Sequence, residues 1–459
     1  MLATLVLISF ACPTPATGAQ ASTSTPPVSV VKGTHFSITA HFDDPKIAAE
    51  ALAAAESVWA PTVEMFGAPA IGAEQPLVVH LYRTAADYER VEEELTGGAF
   101  KRNLAFTSHK TGEAHVALQP ELSDEILAKT GLPHLTREQI AHEAVHVIVG
   151  RAWPNHETLP AWLKEGSATW ISQEAMQKTQ RVRDAMHDPY TAQDAVRVKR
   201  LAEEGDLPSL VLVLEEKVGD LDFLDRYAVW HHAFRWLRDG KRAEVLERIL
   251  AEARRMGGGA DHAAAVGRLA LAALSEGTDV AALDGELAAY VRALEPRWDE
   301  VYRSLSTSGD TWLQAAFPKT NAICWQTADV GADRYEVSGE VEVFAGKKQQ
   351  LNLLLARTPN GFVQVAMTAG SGVVVFEYDN RRSGDEQWKR LGGNDVPALV
   401  AGKWIPFRAR VAKSKLTIDI AGKQVCEVDV GDHPMRGAWG LGALAGSAGA
   451  WRKVKLVKR

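Results

Sequence analysis

The sequence predicts an α+β multidomain protein: a small α/β lobe, a helical lobe, and an all-β sandwich. Three observations predict it. Residues 33–120 alternate strand-like and helix-like patterns. Residues 121–305 are mostly of helical period. From residue 325 to 459, short period-two runs are separated by turn residues. With 459 residues, 46% of them hydrophobic, the chain can fill two or three cores.

Residues 2–11 form a short apolar run, and Ala19-Gln20-Ala21 fits a small-residue cleavage signal. Residues 1–21 therefore read as a secretory leader, although no Lys or Arg precedes the apolar run. The protein is expected to be exported, to the periplasm, the cell surface or the medium. Cys12 lacks the aliphatic residue three positions earlier that a lipoprotein signal carries. Residues 22–32, rich in Ser, Thr and Pro, read as a flexible spacer. No later stretch is long and apolar enough for a transmembrane span.

Within the α/β lobe, residues 36–42 alternate like a strand, and residues 45–61 form an Ala-rich helix. A strand over 76–82, a helix over 85–95 with Tyr88 and Val91 inward, and a strand over 114–118 follow.

The chain is organised around His142-Glu143-Ala144-Val145-His146. Helix positions i and i+4 share a face, with Cβ atoms roughly 5–6 Å apart. His142 and His146 can therefore offer imidazole nitrogens to one ion, with Glu143 beside them as a base for water. Thr136 with Gln139 reads as a capping box, Ile140, Val145, Ile148 and Val149 as the apolar face, and Gly150 as a C-cap. A catalytic zinc needs three protein ligands and an open position. Pro160 suits the first turn of a second helix. Glu165 follows about a turn later, where two antiparallel helices would aim it at the histidines.

His-Glu-x-x-His, eighteen residues, and then Glu165 within Trp162-Leu163-Lys164-Glu165-Gly166-Ser167-Ala168 resembles the peptidase MA-like gluzincins, the group of the thermolysin and aminopeptidase N relatives. The resemblance implies a two-lobed catalytic unit with one Zn²⁺ held by His142, His146 and Glu165. It implies Glu143 as general base and a peptide or protein substrate. It also implies that an edge strand of the α/β lobe binds the substrate backbone as an added strand, with residues 114–118 as the candidate. A Tyr or His on a later helix would hold the oxyanion. Tyr227 is the first candidate and His231, one turn on, the second. Thr169, four residues after Glu165, stands where some relatives carry an acidic group, which leaves the support of the histidines unassigned. Only residues 142–169 carry the likeness sharply. No Gly-x-Met-x-Asn run of the aminopeptidase N type is present. The remaining histidines, among them His41, His80, His115 and His156, form no second ligand motif and read as structural or surface groups. His232 reads the same way.

Residues 306–324 read as a linker. In the β region, Gly402-Lys403-Trp404, Asp419-Ile420-Ala421-Gly422-Lys423 and Trp439-Gly440-Leu441 are similar to concanavalin A-like jelly-roll domains. That resemblance implies aromatic platforms for carbohydrate, with Trp388, Trp404, Trp439 and Trp451 available, or else a structural or adhesion module. If the protein is exported, Cys324 and Cys426 could pair. A net charge of −7 gives no nucleic-acid surface.

The leading expectation is a zinc metallopeptidase. The alternative is an exported carbohydrate- or surface-binding protein whose zinc lobe is not catalytic, and Glu143 discriminates the two. Zinc-dependent hydrolysis of a non-peptide amide would use the same residues.

Overall fold

A computed structural model describes residues 28–69, 76–100, 103–119, 124–153, 155–180, 189–239, 242–300, 305–308, 311–316, 319–345, 349–394 and 399–459. The expected leader, with Cys12, and most of the expected spacer lie outside the described residues.

The first sheet has five strands: β1 (Ser29–Lys32), β2 (Phe36–Ala40), β3 (Leu77–Tyr82), β4 (Ala105–Ser108) and β5 (Glu113–Ala117). Their order is β1-β2-β3-β5-β4. The inner three strands run parallel, and the two edges are antiparallel. Phe36, Ile38, Leu77, Val79, Leu81, Ala114 and Val116 are buried on one face. That face is covered by α1 (Pro45–Ser57) and by the long helix described below. The start of α1 follows from Asp44, which accepts a hydrogen bond from the Ile47 amide at 3.0 Å, and from Pro45 in the first turn.

Three expectations for this lobe are corrected. The end of the expected spacer is a strand, because Val31 alternates in register with Ile38 of β2. The expected helix over 45–61 is two helices, α1 and α2 (Trp59–Phe66), with Pro61 tolerated in the first turn of the second. The expected edge strand, β5, is an inner strand. The edge is β4, whose four residues are too few to display a period.

Beyond α3 (Ala85–Thr96) and α4 (Asp124–Thr130) comes α5 (His134–Ala152). Ile140, Ala141, Ala144, Val145, Val147 and Ile148 are all buried, so α5 is enclosed on most sides rather than amphipathic. It begins two residues before the expected cap. Thr136 lies inside it and forms no capping box. Instead the Thr136 hydroxyl donates to the Gln119 carbonyl (2.9 Å) and accepts from the Gln119 amide (2.8 Å), pinning α5 to the chain that leaves β5. Gly150 also lies inside α5. A Cβ there would sit 2.9 Å from the His156 ring, so close packing, not a cap, asks for glycine.

The helical lobe continues through α6 (Ala161–Gln180), α7 (Pro189–Glu204), α8 (Leu210–Leu214), α9 (Phe223–Asp239), α10 (Ala243–Arg255), α11 (His262–Leu274) and α12 (Val280–Arg292). Among the described residues, no helix is long and apolar enough to cross a membrane.

The last region is two seven-stranded antiparallel sheets packed face to face. One contains Leu305–Ser308, Thr311–Ala315, Arg334–Val343, Ile405–Ala412, Lys415–Ile420, Lys423–Asp429 and Ala448–Lys458. The other contains Trp298–Glu300, Ala322–Asp329, Gln350–Thr358, Gly361–Thr368, Gly372–Asp379, Trp388–Asn394 and Ala438–Ala443. The sandwich thus begins near Trp298, and residues 306–324 are not a linker. Trp312 pairs in register with Trp451, and Ile323 with Gly442. Leu305–Ser308 and Thr311–Ala315 are short and mixed in polarity, which hid them, and Ala322–Asp329 starts only at the end of the expected linker. Ala421 and Gly422 both take positive φ (52° and 78°), the two-residue hairpin turn that matches strand twist. Cys324 and Cys426 are buried in different sheets. Phe344, Ala448 and Ala450 belong to the same core as the helical lobe, and Ala192 of α7 joins the sandwich core.

Candidate metal centre

One turn separates His142 from His146 on α5, and their rings meet edge to face at 4.8 Å. The chain then turns back through Pro160, whose carbonyl accepts the Leu163 and Lys164 amides and starts α6. This return brings Glu165 over the two histidines. Glu165 Oε2 lies 3.3 Å from His142 Nε2 and 3.4 Å from His146 Nε2, and the two Nε2 atoms are 3.1 Å apart.

Those distances test whether an ion fits. A tetrahedral zinc with bonds of about 2.0–2.1 Å has ligand atoms about 3.3–3.4 Å apart. The triangle of His142, His146 and Glu165 therefore already has the dimensions of one face of such a tetrahedron. The electrostatics agree. Burial disfavours a charged His142, but the Glu165 hydrogen bond and the Glu143 and Glu138 charges outweigh it and raise its pKa to about 9. Burial pushes Glu165 up, yet His146 and His142 hold it well below the usual carboxylate range. The carboxylates of Glu165, Glu143 and Glu138 thus favour positive charge beside His142.

Gly166 sets the depth of Glu165. A Cβ on Gly166 would lie 2.6 Å from the Trp230 carbonyl oxygen and 2.9 Å from Phe234 Cβ. Glycine therefore lets α6 and α9 cross closely, and α9 carries Tyr227. Tyr227 hydrogen-bonds Glu165, and burial together with the Glu165 and Glu143 charges holds its hydroxyl protonated far above the usual tyrosine range.

His142, His146 and Glu165 line a cavity of about 500 Å³ together with Glu143, Tyr227 and Thr107. Glu143 Oε2 accepts a hydrogen bond from Thr107 Oγ1 of edge strand β4 at 2.7 Å. Phe223 and Leu224, both largely exposed, also line the cavity.

His231, the second oxyanion candidate, does not line this cavity. It shares a helix face with Tyr227 but sits one turn deeper, fully buried, with Nδ1 3.1 Å from Asp194 Oδ2. That pair ties α9 to α7, as do Arg197 and Arg200 on Asp225 at 2.9 and 2.6 Å. His232 is also buried, not exposed.

Several cavity groups escaped the sequence reading. Thr107 was invisible because β4 was. Glu138, one turn before His142 on α5, lines the cavity, accepts from Ser172 Oγ at 3.3 Å and raises the His142 pKa. His156 is buried beside Gly150, and burial together with His146 and His109 lowers its pKa to about 3. Spacing from His142 could have flagged Glu138, whereas nothing local flags His156.

No protein-family model matches the chain, and no curated protein matches it. Solved structures share part of it. The carbohydrate-binding module CBM66 from Bacillus subtilis is 10% identical with a TM-score of 0.31, covering 35% of this chain and 94% of its own. The VIP36 exoplasmic/lumenal domain in a Ca²⁺/Man2-bound form is 14% identical with a TM-score of 0.29, covering 36% and 82%. Sheep galectin-11 in complex with glycerol is 14% identical with a TM-score of 0.23, covering 28% and 95%. The β-sandwich rests on the strand pairing described above and not on these scores.

Proposed function

We propose that the protein is a zinc-dependent hydrolase of peptide bonds. The observation that carries the proposal is the triangle of His142, His146 and Glu165, sized for one face of a zinc tetrahedron, with Glu143 and Tyr227 in the same cavity. A zinc ion held there supplies Lewis-acid chemistry, acidifying a water and polarising a carbonyl.

The chain's own groups do the rest. Glu143 takes the proton of the attacking water and later gives it to the leaving amine. Thr107 holds that carboxylate in place through its hydroxyl. Tyr227, kept protonated, donates a hydrogen bond to the oxyanion of the tetrahedral intermediate. β4 supports a peptide as the substrate: its outer edge is unpaired within the sheet, and an extended backbone can add to it beside Glu143.

For the sandwich, the supporting observation for a carbohydrate or cell-surface ligand is Trp388. Trp439 and Trp451 are buried, and Trp404 is partly buried under the Arg452 guanidinium at 4.3 Å. Trp388 is 37% exposed, backed by Tyr378 at 4.9 Å and Phe362 at 5.8 Å. An exposed indole on an aromatic base suits stacking against a sugar face.

Metal content by mass spectrometry and cleavage of a peptide library would test the main reading. Wild type should hold zinc at the His142 site, Glu165→Ala should lose most of it, and Glu143→Gln should keep the metal while losing cleavage. Unchanged cleavage in Glu143→Gln would sink the peptidase reading and leave the binding-protein reading.

A further inference from the structure

The face of the first sheet turned away from α5 carries a row of rings. His41, at the end of β2, His80 of β3, His115 of β5 and Phe106 of β4 stack across four strands, with centroid spacings of 5.3, 4.8 and 4.8 Å. The register explains the row, because His80 is the direct partner of His115 and Phe106 is that of His115 on the other side. Glu113 stands two residues before His115 and so on the same face.

The ring nitrogens are dealt out in a definite way. His80 Nε2 lies 3.3 Å from Glu113 Oε2, and His80 Nδ1 lies 3.0 Å from His41 Nε2. His115 Nδ1 lies 2.9 Å from the Tyr82 hydroxyl. His115 Nε2 is buried and meets no hydrogen-bond partner among the described residues. A buried imidazole nitrogen left unmatched costs free energy unless something accepts its lone pair. One donor atom from each of His80, His115 and Glu113 lies within 4.8 Å of the other two.

We propose that His80, His115 and Glu113 form a second divalent-metal site of the zinc class, separate from the cavity that holds Glu143. Two imidazoles and one carboxylate suit Zn²⁺ or Co²⁺. His41 and Tyr82 complete the pattern expected around such a site, since each takes up the second ring nitrogen of a ligating histidine and fixes its tautomer. The sequence shows no second ligand motif and reads these histidines as structural or surface groups, whereas the fold brings donor atoms of His80, Glu113 and His115 together. The pattern was hidden because Glu113 and His115 of β5 meet His80 of β3 only through strand register, across more than 30 positions of sequence.

An ion there would staple β3 to β5, and β5 carries β4, whose Thr107 holds Glu143. Occupancy is therefore expected to stiffen the strand beside the cleft and to raise thermal stability.

Zinc stoichiometry after equilibration with buffered Zn²⁺ tests the proposal, with the Co²⁺ absorption spectrum as a second readout. Five proteins are needed: wild type, the single-site variants Glu113→Gln, His115→Phe and His142→Ala/His146→Ala, and a triple variant that adds Glu113→Gln to the last. His115→Phe keeps the ring stack, and Glu113→Gln changes a partly exposed side chain, so both leave the fold a fair chance. Wild type should bind two ions, each single-site variant one and the triple variant none. In the His142→Ala/His146→Ala protein, Zn²⁺ should still raise the melting temperature, and adding Glu113→Gln should remove that rise. If wild type binds one ion that only Glu113→Gln and His115→Phe remove, the second site stands and the catalytic reading falls. If Glu113→Gln and His115→Phe both bind as many ions as wild type, the second site is overturned.

Discussion

Thr107 donates a hydrogen bond to Glu143 across 2.7 Å, and this bond joins the free edge of the first sheet to the central helix. One carboxylate oxygen of the proposed base is thereby held from the strand that a peptide would join. Hydrogen bonds to a charged group contribute about 1.5–3 kcal/mol. Thr107→Val should therefore lower kcat about 10- to 100-fold with metal content unchanged, and Thr107→Ser should restore most of it. A variant that instead loses zinc, or one that Ser fails to rescue, would mean that Thr107 only packs.

Tyr227 and His231 share a helix face, but only Tyr227 lines the cavity. The two substitutions should therefore fail in different ways. Tyr227→Phe should lower kcat about 10²-fold with KM and the unfolding midpoint little changed. His231→Leu removes a buried partner from Asp194 and should cost about 3 kcal/mol of stability, read from urea unfolding. A His231→Leu protein that is fully stable yet inactive would reverse the two roles.

These two residues also mark what could be read in the chain. A motif carried by one helix face, such as His142 and His146, is a matter of i, i+4 spacing, and Glu165 needed only one return of the chain. Tyr227 ranks ahead of His231 in the sequence, but both stay candidates there because spacing specifies a face and says nothing of depth along it. In the His80–Glu113–His115 set, Glu113 and His115 share a strand face by period two, but only strand register brings His80 to them. The α/β lobe, the helical lobe and the long central strands of the sandwich showed their periods. Short strands at or next to a sheet edge, such as Ala105–Ser108 and Thr311–Ala315, carried too few turns of any pattern, and one of them holds Thr107.

Gly166 offers a test of geometry alone. A methyl group there would meet the Trp230 carbonyl oxygen at 2.6 Å, and backbone cannot swing aside as a side chain can. Gly166→Ala must push α6 from α9, which should cost about 1–3 kcal/mol in denaturant unfolding. It should also separate Glu165 from Tyr227, so cleavage should fall more than zinc content does. An Ala variant as stable as wild type would mean that the two helices have room to spare.

Acid unfolding should report on Glu56. Its carboxylate accepts the backbone N–H groups of His35 (2.8 Å) and Phe36 (3.1 Å) and bonds the His35 ring at 2.7 Å. Burial pushes its pKa up, but those donors outweigh it and hold it below the ordinary 4.5. The folded protein therefore binds this proton less readily than the unfolded chain. The stability Glu56 contributes is fully present above the unfolded pKa and is lost as pH falls through the lower folded pKa. Glu56→Gln should be less stable than wild type near neutral pH, and the gap should close as pH falls below about 4.5. Urea midpoints measured for both proteins between about pH 7 and pH 3 would show this convergence. A gap that stays constant across that range would mean that Glu56 acts through packing and not through its charge.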